Sequence, residues 1–132
     1  TLESENKMTG NPQRRVVECV IPVLPVNDLE ESIRFYSKTL EFKLGWRGES
    51  VGSVSKDGNS IMLKEVPSAS SGMCVWIGLH DAFLFDVYRR RGVRVVSETR
   101  NHSWAYEMKF EDLDGNVLWL GTEPRSDTPF VD

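Results

Sequence analysis

Residues 57–63 read DGNSIML and residues 114–120 read DGNVLWL: one phrase written twice. Each begins with an Asp-Gly-Asn hairpin turn. Each continues as a strand in which Ile61 and Leu63, or Leu118 and Leu120, alternate with Met62 or Trp119. A second match lies upstream, where PVNDL at 25–29 answers GLHDA at 78–82. A period of about 55 residues in a chain of 132 implies two copies of one supersecondary unit.

Working outward gives the unit. Residues 16–24, VVECVIPVL, form a β-branched apolar run, a buried strand. Asn27, with Glu30 three positions on, is a helix-capping signal, and Leu29, Ile33, Tyr36 and Leu40 follow at helical spacing. Residues 42–48, 51–56 and 60–65 are strands. Pro67–Gly72 is a linker by composition. The order then repeats: a strand at 73–79, a helix capped by Asp81 and ended by Gly92, and strands at 93–98, 104–111 and 117–122. The fold class is α+β: two βαβββ modules, residues 16–66 and 73–123, whose mixed sheets form a concave cleft. Residues 1–15 are polar and aperiodic and read as a disordered N-terminal segment. Residues 124–132 read as a C-terminal surface tail.

Composition sets limits on function. Sixteen Lys and Arg against twenty Asp and Glu argue against nucleic acid, whose binding needs a basic surface. No apolar run reaches the roughly 18 residues of a membrane span. The two cysteines, Cys19 and Cys74, lack zinc-knuckle spacing, and a cytoplasmic setting follows by default. Phe83, Leu84, Phe85, Val87 and Tyr88 give the second helix more apolar surface than one sheet needs, which points to a homodimer.

IPVLPVNDLEESIRFY at 21–36, WAYEMKF at 104–110 and EDLDGNVLWLG at 111–121 resemble the vicinal oxygen chelate superfamily. That group includes glyoxalase I, extradiol dioxygenases and bleomycin-resistance proteins. The likeness covers about residues 16–123, with Leu113 where the family usually has Pro. It implies a metal held by the first and last strands of each module, which in this chain are Ile21, Met62, Cys74 and Trp119. Strand alternation independently aims these four into the cleft, because Leu24, Val26, Val75 and Ile77 lead into the helices. Ile, Met and Trp do not bind a hard cation, and one thiol does not hold it alone. No metal and no cofactor is therefore expected, and the bleomycin-resistance branch is the nearest likeness.

The same parity puts Trp76 beside Trp119 as a stacking surface for a flat or cationic small molecule. Glu107 and Lys109 point to the same cleft, Glu107 as a cation ligand or base. Trp104 and His102 sit in the preceding loop, at the cleft mouth. His80 reads as a helix cap, and Arg89-Arg90-Arg91 as a solvated helix end. The leading expectation is a metal-independent protein that sequesters an aromatic or cationic ligand, with no catalytic residue. The alternative is a glyoxalase- or dioxygenase-like enzyme with a metal on Cys74, Glu107 and His102.

Overall fold

The computed structural model describes residues 14–68 and 72–132. Most of the expected N-terminal disorder (residues 1–13) and the middle of the expected linker (69–71) lie outside them. The element order is β1 (Val23–Val26), α1 (Leu29–Arg34), β2 (Lys43–Arg47), β3 (Val51–Lys56), β4 (Asn59–Glu65), β5 (Cys74–Gly78), α2 (Phe83–Arg90), β6 (Arg94–Asn101), β7 (Tyr106–Glu111) and β8 (Val117–Thr122). The two four-stranded sheets run β1-β4-β3-β2 and β5-β8-β7-β6. In each, the first and last strands pair in parallel and the rest antiparallel. This is the expected pair of βαβββ modules.

The alternation holds where it builds the core. Leu24, Val26, Ile61, Leu63, Met108, Phe110, Leu118 and Leu120 are all buried. They join Leu29, Ile33, Tyr36, Leu40, Phe85 and Tyr88 in one cluster spanning both modules. At about 25 cal/mol per Å² of apolar surface removed from water, such a shared core is the main force holding the modules together.

Several local readings change. β1 starts at Val23, not at residue 16. The Pro22 carbonyl accepts from Met62 N–H at 2.9 Å, so residue 22 faces β4, but proline has no N–H to return. The chain before it leaves the sheet, and Val16, Val17 and Val20 are exposed. Asp28 caps α1, accepting from Glu31 N–H at 3.0 Å, in place of Asn27. The first helix ends in a π-helical turn, Phe35–Thr39. Ser37 Oγ there donates to the Ile33 carbonyl at 2.6 Å, and Leu40 N–H reaches five residues back to Phe35. Asp81, not His80, meets the start of α2, accepting from Phe83 N–H at 2.9 Å. Of the apolar set on α2, Phe85, Val87 and Tyr88 are core, and only Phe83 is largely exposed. The wide apolar surface is therefore mostly interior.

The second DGN turn joins the modules. Asp112, buried, accepts from Tyr36 Oη at 2.8 Å, from the Asn116 amide at 2.9 Å and from the backbone N–H groups of Asp114 and Asn116. Asn116 also donates to the Pro25 carbonyl and accepts from Met73 N–H, both at 2.9 Å. Burial first, then the Asp112 charge, holds the Tyr36 phenol well above its ordinary pKa. Tyr88 Oη donates to the Leu40 carbonyl at 2.8 Å, and its pKa is likewise raised, by burial and then by Glu41. Residues 124–132 lie over the β6–β7 end: the Asn101 side chain donates to the carbonyls of Arg125 and Thr128, and Ser103 N–H donates to Asp132.

Candidate functional site

The open face of the second sheet carries a connected aromatic group. Trp76 and Trp119 stand directly across the parallel β5–β8 ladder, and Lys109 on β7 stands across from Trp119. The two indoles meet edge to face, with ring centres 5.3 Å apart and planes at 80°. Lys109 Nζ lies 4.5 Å from the centre of the Trp119 ring, a cation–π contact. Trp76 lies over Gly121, where any side chain would collide with its ring. Glycine at 121 is thus what lets the indole lie down on the sheet. With one side against the sheet, Trp76 is still 48% exposed.

Glu107 anchors the group from below. It is only 5% exposed, and each oxygen accepts an indole N–H: Oε1 from Trp119 at 2.5 Å, Oε2 from Trp104 at 3.1 Å. A buried carboxylate must be hydrogen-bonded, and two charge-assisted bonds to rigid rings fix both rings in turn. Each Glu107 oxygen thus holds one indole N–H and keeps a further lone pair. Trp104, 62% exposed, is stacked face to face on His102 at 4.3 Å and 5°. His102 Nδ1 is 3.5 Å from Asp132. The sequence placed Trp104 and Glu107 in one neighbourhood but could not show them bonded. A shallow hollow of about 280 Å³ lies along this face, between Trp76, Trp104, His80 and Gly121.

The remaining expected residues fall elsewhere. Met62 faces outward on the first sheet, paired with Val23, not with Ile21. Ile21 precedes β1 and belongs to no strand. Cys74 is exposed at the start of β5 and pairs with Val117, so the ladder partner of Trp119 is Trp76. The register thus puts Val23, Met62, Trp76 and Trp119 side by side in their two ladders, and none of them is a hard-metal ligand. The alternative set Cys74, Glu107 and His102 does not assemble. Cys74 aligns with Val117 and Glu107 with Gly121, four residues or about 13 Å apart along β8. Among the described residues, no three His, Cys, Asp or Glu side chains gather as a metal site.

With this geometry in hand, the family follows from comparison. A profile of the glyoxalase/bleomycin resistance protein/dioxygenase superfamily matches residues 16–120. The chain belongs to that superfamily. Three solved structures share the superfamily fold with it. TnmS3, an antibiotic binding protein from Streptomyces sp. CB03234, has a TM-score of 0.70 at 24% identity, covering 86% of this chain and all of that one. The bleomycin-binding protein of Streptomyces verticillus, complexed with copper(II)-bleomycin, has a TM-score of 0.71 at 17% identity, covering 85% of this chain and all of that one. The bleomycin resistance determinant encoded on transposon Tn5 has a TM-score of 0.72 at 18% identity, covering 81% and 98%. No curated protein matches the chain in sequence. At these identities the superfamily likeness establishes architecture, and function has to be argued from the site.

Proposed function

We propose that the protein binds an aromatic small molecule, without a metal, by stacking it on the free side of Trp76. The carrying observation is the braced indole: Trp76 is half exposed, seated on Gly121 and held against Trp119, which Glu107 fixes. A preformed, rigid aromatic surface loses little entropy on binding. Antibiotic-binding relatives of the same fold support a sequestering role. Lys109 over Trp119 and the burial of Glu107 beneath two indoles disfavour a cationic ligand, so the reading narrows to a neutral or anionic aromatic. The hollow beside Trp76 is open on one side, and a homodimer in which a second copy closes it belongs to the same reading. Two exposed free thiols suit a reducing cytoplasm.

The test is a fluorescence titration with a neutral aromatic dye, before and after dialysis against a chelator. Saturable tryptophan quenching, unchanged by the chelator and weakened by Trp76→Ala, is expected. Quenching that needs added metal, or that ignores Trp76, overturns the reading. Sedimentation at micromolar concentration should give twice the chain mass. A monomer there removes the dimer from it.

A further inference from the structure

The two modules carry the same parts but close on each other at only one of two equivalent junctions. Register and repeat together equate Val20 with Met73, Pro22 with Val75, Pro25 with Gly78 and Asn59 with Asn116. At the closed junction, the Asn116 carboxamide bridges Met73 N–H of its own module and the Pro25 carbonyl of the other. The equivalent bridge would run from Asn59 to Val20 N–H and the Gly78 carbonyl. It is not made. The Asn59 amide instead donates to the Asp57 carbonyl of its own turn at 3.0 Å. Among the described residues no side-chain hydrogen bond reaches Val20 N–H or Gly78 C=O.

What lies there is a groove of about 290 Å³, and Val20, Asn59 and Gly78 all line it. Its other walls include Ile61, Trp76, Ile77, Leu84 and Tyr88 on one side and Lys56 and Asp57 on the other, so it has an apolar and a polar part. Pro22 accounts for the opening. Without its N–H the chain ahead of β1 peels away, and Val20 swings out to 87% exposure instead of lying on β4 as Met73 lies beside β8.

We propose that this groove, which meets the aromatic hollow at Trp76, Gly78 and Leu79, is a second small-molecule site for a compound with an apolar ring and a carboxamide. The ligand's amide donates to Gly78 C=O, the counterpart of the Pro25 carbonyl that Asn116 meets at the closed junction, and lies beside the displaced Val20. Its ring lies against Ile77, Leu84 and Tyr88. A groove of this size is at the small end of ligand clefts, which suits a single ring with one substituent.

The experiment uses benzamide as probe, with toluene as the control lacking the amide, and follows backbone amide resonances. Saturable shifts at Val20, Asn59 and Gly78 are expected with benzamide, with toluene binding about tenfold more weakly. Leu84→Trp, which fills the groove, should abolish the shifts. Should that variant not fold, the comparison of the two probes on the unaltered protein decides the question alone. Equal response to toluene, shifts confined to Trp104 and Trp119, or shielding of the same amides by a second copy would each overturn the proposal. Trp76 borders both pockets, so the two readings are separated by variants. Trp104→Ala, on the hollow alone, should weaken dye binding and spare the benzamide shifts, and Leu84→Trp, on the groove alone, should do the reverse.

Discussion

The two sheets are built from one repeated unit, yet their open faces differ in kind. The first presents Val23, Met62, Ser53 and Trp46 across its strands. The second presents Trp76, Trp119 and Lys109 at the equivalent positions, with the buried Glu107 beside them. Among the described residues the first face has an exposed indole at its edge but no buried charge to orient it. The second has a carboxylate tying two indoles into a fixed surface. The same asymmetry holds at the turns: Asp112 and Asn116 knit the second turn to the first module, while Asp57 and Asn59 bond only locally. One scaffold is present twice, and different side chains at matching positions give one copy the braced indoles and the latch.

The largest effect should come from cutting the latch. Asp112→Ala would take the acceptor from the Tyr36 hydroxyl, from one N–H of the Asn116 amide and from the backbone N–H groups of Asp114 and Asn116. A loss of about 3 kcal/mol or more in urea unfolding is expected, against about 0.5 kcal/mol or less for Asn59→Ala. Equal losses at the two turns would erase the asymmetry.

Next comes recognition. Trp119→Ala should weaken dye binding by about 1–3 kcal/mol, while Met62→Ala at the matching place on the first sheet leaves it unchanged. A similar loss from both variants would mean that the two faces bind together, as across a dimer.

Glu107→Gln sharpens the role of the anchor. The Gln oxygen can accept one indole N–H, but its amide NH2 opposes the other. A stability loss of about 1–2 kcal/mol is expected, with altered tryptophan emission and weaker dye binding at all ionic strengths. If the binding loss disappears at high salt, Glu107 acts through charge and not through position.

The smallest effect is titration. Tyr36 and Tyr88 have phenol pKa values raised in the folded state, so folding favours their neutral forms. Their contribution is fully present below the ordinary phenol value of about 10 and is lost as pH rises above it. Unfolding free energy should fall through alkaline pH, and Tyr88→Phe should flatten that fall. A profile that stays level above the ordinary phenol range would show that these hydroxyls ionise as freely folded as unfolded.

The repeat, the strand alternation and the helical spacing were legible because they follow from local periodicity: DGNSIML and DGNVLWL announce two modules, and Leu24, Ile61 and Leu118 announce their inner faces. Composition at the expected ligand positions was legible too, since Met62 and Trp119 are poor hard-metal ligands wherever they point. The ladder partner was not legible. Parity fixes a face but leaves register free in steps of two, so the placing of Val23 across from Met62 and of Trp76 across from Trp119 comes from the ladders alone. Nor could the chain announce that Glu107 accepts two indole N–H groups, since Trp104 arrives from a loop and Trp119 from another strand. The sequence alone determined two βαβββ units and the residue types on each face, through period and propensity. Tertiary structure alone decided which of those residues meet, because a hydrogen bond between distant segments depends on register, on a glycine such as Gly121 that admits a ring, and on a proline such as Pro22 that releases a strand.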